Sequence, residues 1–317
     1  MHILVTGGCG YVGTLLVQSL LEKANSVTVV DTMWFGNFLN EHAHLTLIKE
    51  DVRNVGEIPM EGVDCVIHLA NIANDPSGDL DSKLTWEVNV LATKLLVEQA
   101  IASGVTQFIY ASSGSVYGVK MEENVTEELS LVPLTDYNKT KMISERVLMS
   151  YRDDIIVQCI RPATVCGYSP RMRLDLSVNM LTMQALTQHK ITVFGGDQTR
   201  PNIHINDLVR VYHHFLRVGQ DHTGIYNAGF ENFSILQIAH QISDRIPSEI
   251  VVTESNDPRS YRLNSDKLKA TGFLPLFTVA DGISDVISTY NRGILKNEDK
   301  YYNLKMMKSV VTNQMQR

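Results

Sequence analysis

Residues 2–16, HILVTGGCGYVGTLL, run from a β-branched and aliphatic stretch through a glycine cluster into a second apolar stretch. This junction constrains the chain more than any other feature. Gly7, Gly8, Gly10 and Gly13 satisfy both G-x-x-G-x-x-G and G-x-G-x-x-G, where a strand gives way to a helix. There, missing side chains let the backbone approach a pyrophosphate, whose charge rests on the helix N-terminus. A glycine-rich turn with no ligand is the alternative. The next strand pattern ends at Asp31, about 20 residues past the glycines, where a carboxylate accepts from an adenosine 2′-hydroxyl and repels a 2′-phosphate. Residues 32–36, TMWFG, carry no Arg or Lys, so NAD is expected over NADP. Asp51 and Val52 follow the third strand and are candidates to flank the adenine, with a plain turn aspartate as the alternative.

The first half repeats the strand-to-helix pattern. Apolar runs at 2–6, 26–30, 45–49, 64–70, 107–112 and 155–160 read as strands. Helical spacing covers Tyr11 to Lys23, Asp81 to Ser103 and Tyr137 to Tyr151, with Leu84, Val88, Leu91 and Leu95 on one stripe of the second. Continuous apolar strands alternating with helices predict an α/β fold with a doubly wound parallel sheet, covered on both faces. After Arg161 the alternation loosens, which predicts a smaller C-terminal α/β region capping the sheet, with residues 201–224 returning to the main domain. The tail after Lys296 is charged and has no clear pattern.

The net charge of −7 disfavours nucleic acid or an anionic membrane as a partner. Cys9, Cys65, Cys159 and Cys166 lack C-x-x-C spacing and fall in or beside apolar runs, which predicts buried thiols rather than a metal site or disulfides. No apolar run reaches the roughly 18 residues of a membrane span. A strand at the N-terminus leaves no room for a signal peptide, so a cytoplasmic location is expected.

Tyr137 and Lys141 stand four apart on a helix and share a face. A neighbouring ammonium, together with the positive charge of an oxidised nicotinamide, favours the phenolate and makes Tyr137 a candidate acid/base. Upstream, YASSGSVYG ends a strand and offers Ser112, Ser113 and Ser115 at the sheet's C-terminal edge, where open α/β sheets bind ligands. His68 and His204 each sit inside an apolar segment without a ligand-spaced partner and are expected to be packed and hydrogen-bonded.

GGCGYVG, Asp31, HLAN (68–71), SSGSVYG (112–118) and YNKTK (137–141) together resemble the extended short-chain dehydrogenase/reductase family, in particular its nucleotide-sugar epimerases and dehydratases. The resemblance continues through RPATVCG (161–167), TRPNIHINDL (199–208), YNAG (226–229) and DPRSYRLNSDKL (257–268). It implies a Rossmann domain over 1–164 and about 201–224, with a nucleotide-sugar-binding region over about 165–200 and 225–317. It implies that Gly7, Gly10, Tyr11, Val12 and Gly13 bind the pyrophosphate and Asp31 the ribose, while Leu69, Ala70, Asn71, Asn89, Ser112 and Pro162 lie on the cofactor side. Ser113, Tyr137 and Lys141 match the catalytic set, Lys141 gripping the nicotinamide ribose. Ser115, Thr164, Asn179, Arg200 and Arg259 would face the nucleotide sugar, and a homodimer would form through the helices at 81–103 and 137–151.

The implied reaction begins with oxidation at sugar C4, Tyr137 taking the hydroxyl proton. Family 4,6-dehydratases carry Asp-Glu after the catalytic Ser/Thr. Gly114-Ser115 stand there in this chain, which favours an epimerase returning the hydride to the other face. A 4-dehydrogenase or 4-ketoreductase would use the same set, and a catalytically silent NAD-binding regulator remains a third reading. The segment YSPRMRLDLSVN (168–179) is rich in arginine, so Arg171 and Arg173 are expected to read an unusual sugar or a further anionic group. Surface-polysaccharide or secondary-metabolite synthesis is the setting that the resemblance suggests.

Overall fold

The computed structural model describes residues 1–254 and 260–315. Strand β1 (His2–Thr6) pairs on one side with β2 (Ser26–Asp31), which carries β3 (Leu45–Lys49) outward. On its other side follow β4 (Cys65–His68), β5 (Gln107–Ala111), β6 (Ile156–Pro162) and, at the edge, β10 (Gly224–Ala228). Every pairing in this seven-stranded sheet is parallel.

The strands read as continuous apolar runs because both faces are covered. Successive side chains point to opposite faces. Ile3, Val5, Val27, Val29, Cys65, Ile67 and Ile109 pack in one core with α1 (Tyr11–Glu22) and α7 (Ile205–Val218). Leu4, Val30, Val66, Phe108 and Tyr110 pack in the other with α4 (Ala92–Ala102) and α5 (Asp136–Ser150). All four cysteines are buried free thiols.

After β3 the chain crosses back to β4 on the far side of β1. Loops leaving β1 and β4 therefore diverge and open a crevice at the carboxyl edge, the place where such sheets bind ligands.

The helix expected over 81–103 is not uniform. Two short helices, α2 (Asp75–Gly78) and α3 (Ser82–Trp86), lead through a π-helical turn at Glu87–Leu91 into α4. Within that turn the Asn89 side chain accepts from Ile72 N and donates to Ile72 O and Thr140 Oγ1. The expected stripe is also divided: Leu84 and Val88 are buried, whereas Leu91 and Leu95 face outward.

Beyond β6, β7 (Thr164–Cys166), β9 (Thr199–His204) and β11 (Glu231–Ser234) form a small mixed sheet, and β8 (Lys190–Phe194) pairs with β12 (Glu249–Thr253). Helices α6 (Ser177–Gln188), α8 (Ile235–Ser243) and α10 (Val279–Asn291) share a separate apolar core with these strands. A short α9 (Asp266–Ala270) packs beside β10. β10 completes the edge of the main sheet through its pairing with β6. The charged tail holds α11 (Asn303–Met315), which turns back onto α2.

Candidate active site

The crevice between the two parts encloses about 600 Å³. Its floor begins at the glycine loop. Gly7 has φ +72°, and a Cβ there would lie 2.6 Å from Ala70 N. A Cβ on Gly13 would lie 2.4 Å from the Gly7 carbonyl oxygen. Glycine at these two positions lets the loop fold flat beneath α1. That helix has no side-chain N-cap and no acid in its first turn. The N–H groups of a first turn lack intrahelical acceptors, and here Tyr11, Val12 and Gly13 all line the crevice.

Asp31 stands beside the loop, its oxygens accepting from Cys9 N at 3.0 Å and Met33 N at 2.7 Å. Burial raises its pKa, and those two bonds with the Arg171 charge oppose the rise. Cys9 contributes this backbone bond, while burial beside Asp31 pushes its thiol up to about 12. Asp51, Val52, Leu69, Ala70 and Asn71 complete the wall. Both amide atoms of Asn71 are buried without a hydrogen-bond partner. A glycine cradle, an open helix N-terminus, a carboxylate at the end of β2 and an orphaned amide fit a dinucleotide.

At the inner end, Ser112, Ser113, Ser115, Tyr137, Lys141, Pro162, Thr164 and Arg200 line the same crevice. Ser115 Oγ donates to Asn138 Oδ1 at 2.5 Å, so the Ser113 hydroxyl, 2.7 Å away, donates to Ser115. Lys141 donates to Ala111 O at 2.5 Å, and its ammonium is 4.8 Å from the Tyr110 ring and 5.8 Å from that of Tyr137. Burial dominates the ionisation of both side chains. Burial and then the Asp75 charge push Tyr137 up to about 12, against hydrogen bonding to Ser113 and the charge of Arg173. Burial lowers Lys141 to about 7. Desolvation is the largest influence on each, because both are enclosed.

The serine expected on the cofactor side, Ser112, lines the crevice but donates its hydroxyl to Glu145 at 2.5 Å. Asn89 and Asn179 sit behind the wall. Asn89 fixes the 71–74 loop, and Asn179 accepts from Gly167 N while donating to Tyr11 Oη and Arg173 O. Both amides are spent on the protein's own chain. Arg171 and Arg173 part company: Arg173 pairs with Asp175 at 2.9 Å and its charge is felt by Tyr137, whereas Arg171 lies over Phe35, near Asp31. Arg259 lies outside the described residues. His68 accepts from Thr6 Oγ1 and donates to Thr93 Oγ1, since the Thr93 hydroxyl is already directed to Asn89 O. Burial and Lys141 lower it to about 3, so it is a neutral structural residue, as expected. His204 bonds Asp285 at 3.1 Å and stacks on Phe277.

Several residues of the site escaped sequence reading: Asp75, Asn138, Glu145, Arg161, Phe35 and Asn303. For Glu145 the signal was present, four residues past Lys141 on one helical face. Arg161, inside an apolar strand, likewise required a buried partner.

A dinucleotide cradle ending at a Ser–Tyr–Lys cluster defines a cofactor-dependent enzyme of the Rossmann class. The profile of the NAD dependent epimerase/dehydratase family matches residues 3–229, and the chain belongs to that family, an NAD-dependent group of the extended short-chain dehydrogenase/reductase type. The uncharacterized protein y4nG of Sinorhizobium fredii is 36% identical over 210 residues, 65% of this chain and 50% of that longer protein. A UDP-glucose 4-epimerase of Corynebacterium glutamicum is 28% identical over 85% of this chain and 89% of its own. The structure of UDP-glucuronic acid 4-epimerase from Bacillus cereus, with UDP-glucuronic acid and NAD, superposes with a TM-score of 0.81 at 26% identity, over 92% of this chain and 99% of that one.

Proposed function

We propose that this chain is a nucleotide-sugar 4-epimerase. The observation that carries the reading is the convergence of Ser113, Tyr137 and Lys141 at the inner end of the cradle, with Gly114–Ser115 in place of an acid pair after Ser113. The 4-epimerases among the similar proteins support it.

When bound, NAD supplies an acceptor that takes a hydride from C4 and returns it. Tyr137 holds the proton exchanged with the C4 hydroxyl. A cation brought beside Tyr137 lowers its proton affinity, which offsets the rise that burial causes. The Asn138–Ser115–Ser113 relay fixes the Ser113 hydroxyl, which turns to the sugar oxygen as a carbonyl develops there. Lys141, anchored on Ala111 O, orients the cofactor ribose. Arg173, Arg200, Thr164 and Ser115 face the nucleotide sugar, with guanidinium groups suited to a diphosphate.

The test is to incubate the protein with a panel of UDP-, dTDP- and GDP-sugars and follow C4 configuration by proton NMR. Epimerisation without net absorbance at 340 nm supports the proposal. Persistent 340 nm absorbance points instead to a 4-dehydrogenase, and no turnover of any sugar overturns both. We also propose a homodimer: Leu91, at the end of the π-helical turn, and Leu95, on α4, stand one turn apart and are 55% and 47% exposed, and α4 packs along α5.

A further inference from the structure

Arg171 is the most deeply enclosed of the arginines around the crevice, only 2% exposed. Among the described residues no carboxylate lies at ion-pairing distance from it. Its guanidinium donates to Met172 O at 3.2 Å and to Asn303 Oδ1 at 2.6 Å, and its Nε is buried without a partner. The nearby Arg173 is paired with Asp175, and its charge opposes that of Arg171, offset in part by Asp175 and Asp31, neither of which pairs with Arg171 directly. Burial, reinforced by Arg173, lowers Arg171 to about 10. Keeping a charge so enclosed and without a direct ion pair is costly unless a further acceptor arrives.

Its surroundings identify that acceptor. The guanidinium carbon stands 4.2 Å from the Phe35 ring centroid, and Phe35, Asp31, Tyr11 and Arg171 line one stretch of the crevice. Asp31 and Tyr11 both feel its charge. These residues bracket the space between the end of β2 and the N-terminus of α1. The C-terminal tail holds the arginine there. Asn303 begins α11, Tyr301 O accepts from Leu174 N at 2.9 Å, and Met307 is 2% exposed in a cluster with Val52 and Ile72, against which Trp34 and Phe35 pack.

We propose that Arg171 is a cofactor residue, delivered from the 168–176 segment and clamped by α11, whose free guanidinium hydrogens take the pyrophosphate of NAD while α11 straps the adenosine end. This reassigns Arg171 from sugar to cofactor. It rests on NAD binding and is independent of which reaction follows.

The test compares parent protein, stripped of bound nucleotide, with Arg171→Gln, Arg171→Lys and Asn303→Ala. Affinities for NAD and for UDP are measured separately by calorimetry, with circular dichroism as the folding control. Arg171→Gln is expected to bind NAD roughly 10- to 100-fold more weakly, the worth of a lost charge-assisted hydrogen bond. Its UDP affinity is unchanged. Arg171→Lys keeps the charge without the fork and falls between, and it decides the matter if the glutamine variant fails to fold. Asn303→Ala releases NAD faster. NAD affinity within about twofold of the parent in the folded Arg171 variants, or a loss confined to UDP, overturns the proposal.

Discussion

Arg161 and Glu145 form a two-pronged ion pair at 2.8 and 2.7 Å beneath the catalytic floor, and their side chains are 3% and 2% exposed. The Arg161 fork also reaches Tyr117 Oη at 2.6 Å, which donates onward to Asn227 Oδ1. Ser112 completes the network through Glu145. Every atom of the pair is thus engaged, the condition under which a buried pair holds a structure in register. Glu145→Gln leaves a buried guanidinium without its counter-charge. Its expected cost is about 3–5 kcal/mol, read as a lowered midpoint in urea denaturation. An unchanged midpoint would show the pair to be dispensable.

Tyr137→Phe removes the only atom assigned to proton exchange at C4. Its ring and the packing of α5 stay in place, so NAD binding is preserved. Turnover of any accepted nucleotide sugar is expected to drop by at least ~10²-fold, the lower range for general acid–base catalysis. Single-turnover kinetics alongside NAD titration separates this loss from a loss of cofactor.

Lys141 makes a signed pH prediction for the ligand-free protein. Its pKa of about 7 lies below the ordinary 10.5. Between those values the unfolded chain binds the proton and the folded chain does not, so stability rises with pH. Below about pH 7 both states hold the proton, and the penalty of burying it is constant. Relative to Lys141→Met, the parent should gain stability steadily from pH 7 toward pH 10, followed by denaturation at each pH. A constant difference over that window would show that Lys141 does not carry the shift.

The parts legible in sequence were those set by local periodicity. Leu4 between Ile3 and Val5, packed on opposite faces, is what a doubly covered strand looks like as text. The glycine loop is likewise local, since Gly7 and Gly13 meet across six residues. Tyr137 and Lys141 were brought to one face by helix geometry alone. What escaped was built by distant contacts. The π-helical turn carries Asn89 to Ile72, 17 residues back, and Arg171 is held by Asn303, 132 residues later. The depth at which Tyr137 and Lys141 are buried, the largest influence on both, is not visible in sequence. The tail offered no periodic signal, and α11 takes its position from Met307 docking on the wall near Val52.

Gly13→Ala tests the cradle at its tightest point. The added methyl would stand 2.4 Å from Gly7 O and 2.7 Å from Gly8 Cα, both rigid backbone. The loop must open, at a cost of about 1–3 kcal/mol for overpacking, and the N–H groups of α1 lose their aim. Loss of co-purifying NAD is expected, assayed by absorbance of the heat-released nucleotide. Gly10→Ala, whose nearest contact is 3.2 Å, should retain more.

The outward pair Leu91 and Leu95 bears on assembly. A π-helical turn just before α4 shifts the helical phase, so the stripe that begins inward at Leu84 and Val88 emerges outward at Leu91 and Leu95. Two leucines one turn apart on an exposed face suit helix-to-helix packing against a copy of the chain. A carboxylate introduced there would be stripped of water at the centre of the contact, without a partner. Leu95→Glu is therefore expected to convert a dimer into a monomer, read by light scattering coupled to size exclusion, with the NAD affinity of the monomer close to that of the parent. A parent that already runs at the mass of one chain would reject the proposed dimer.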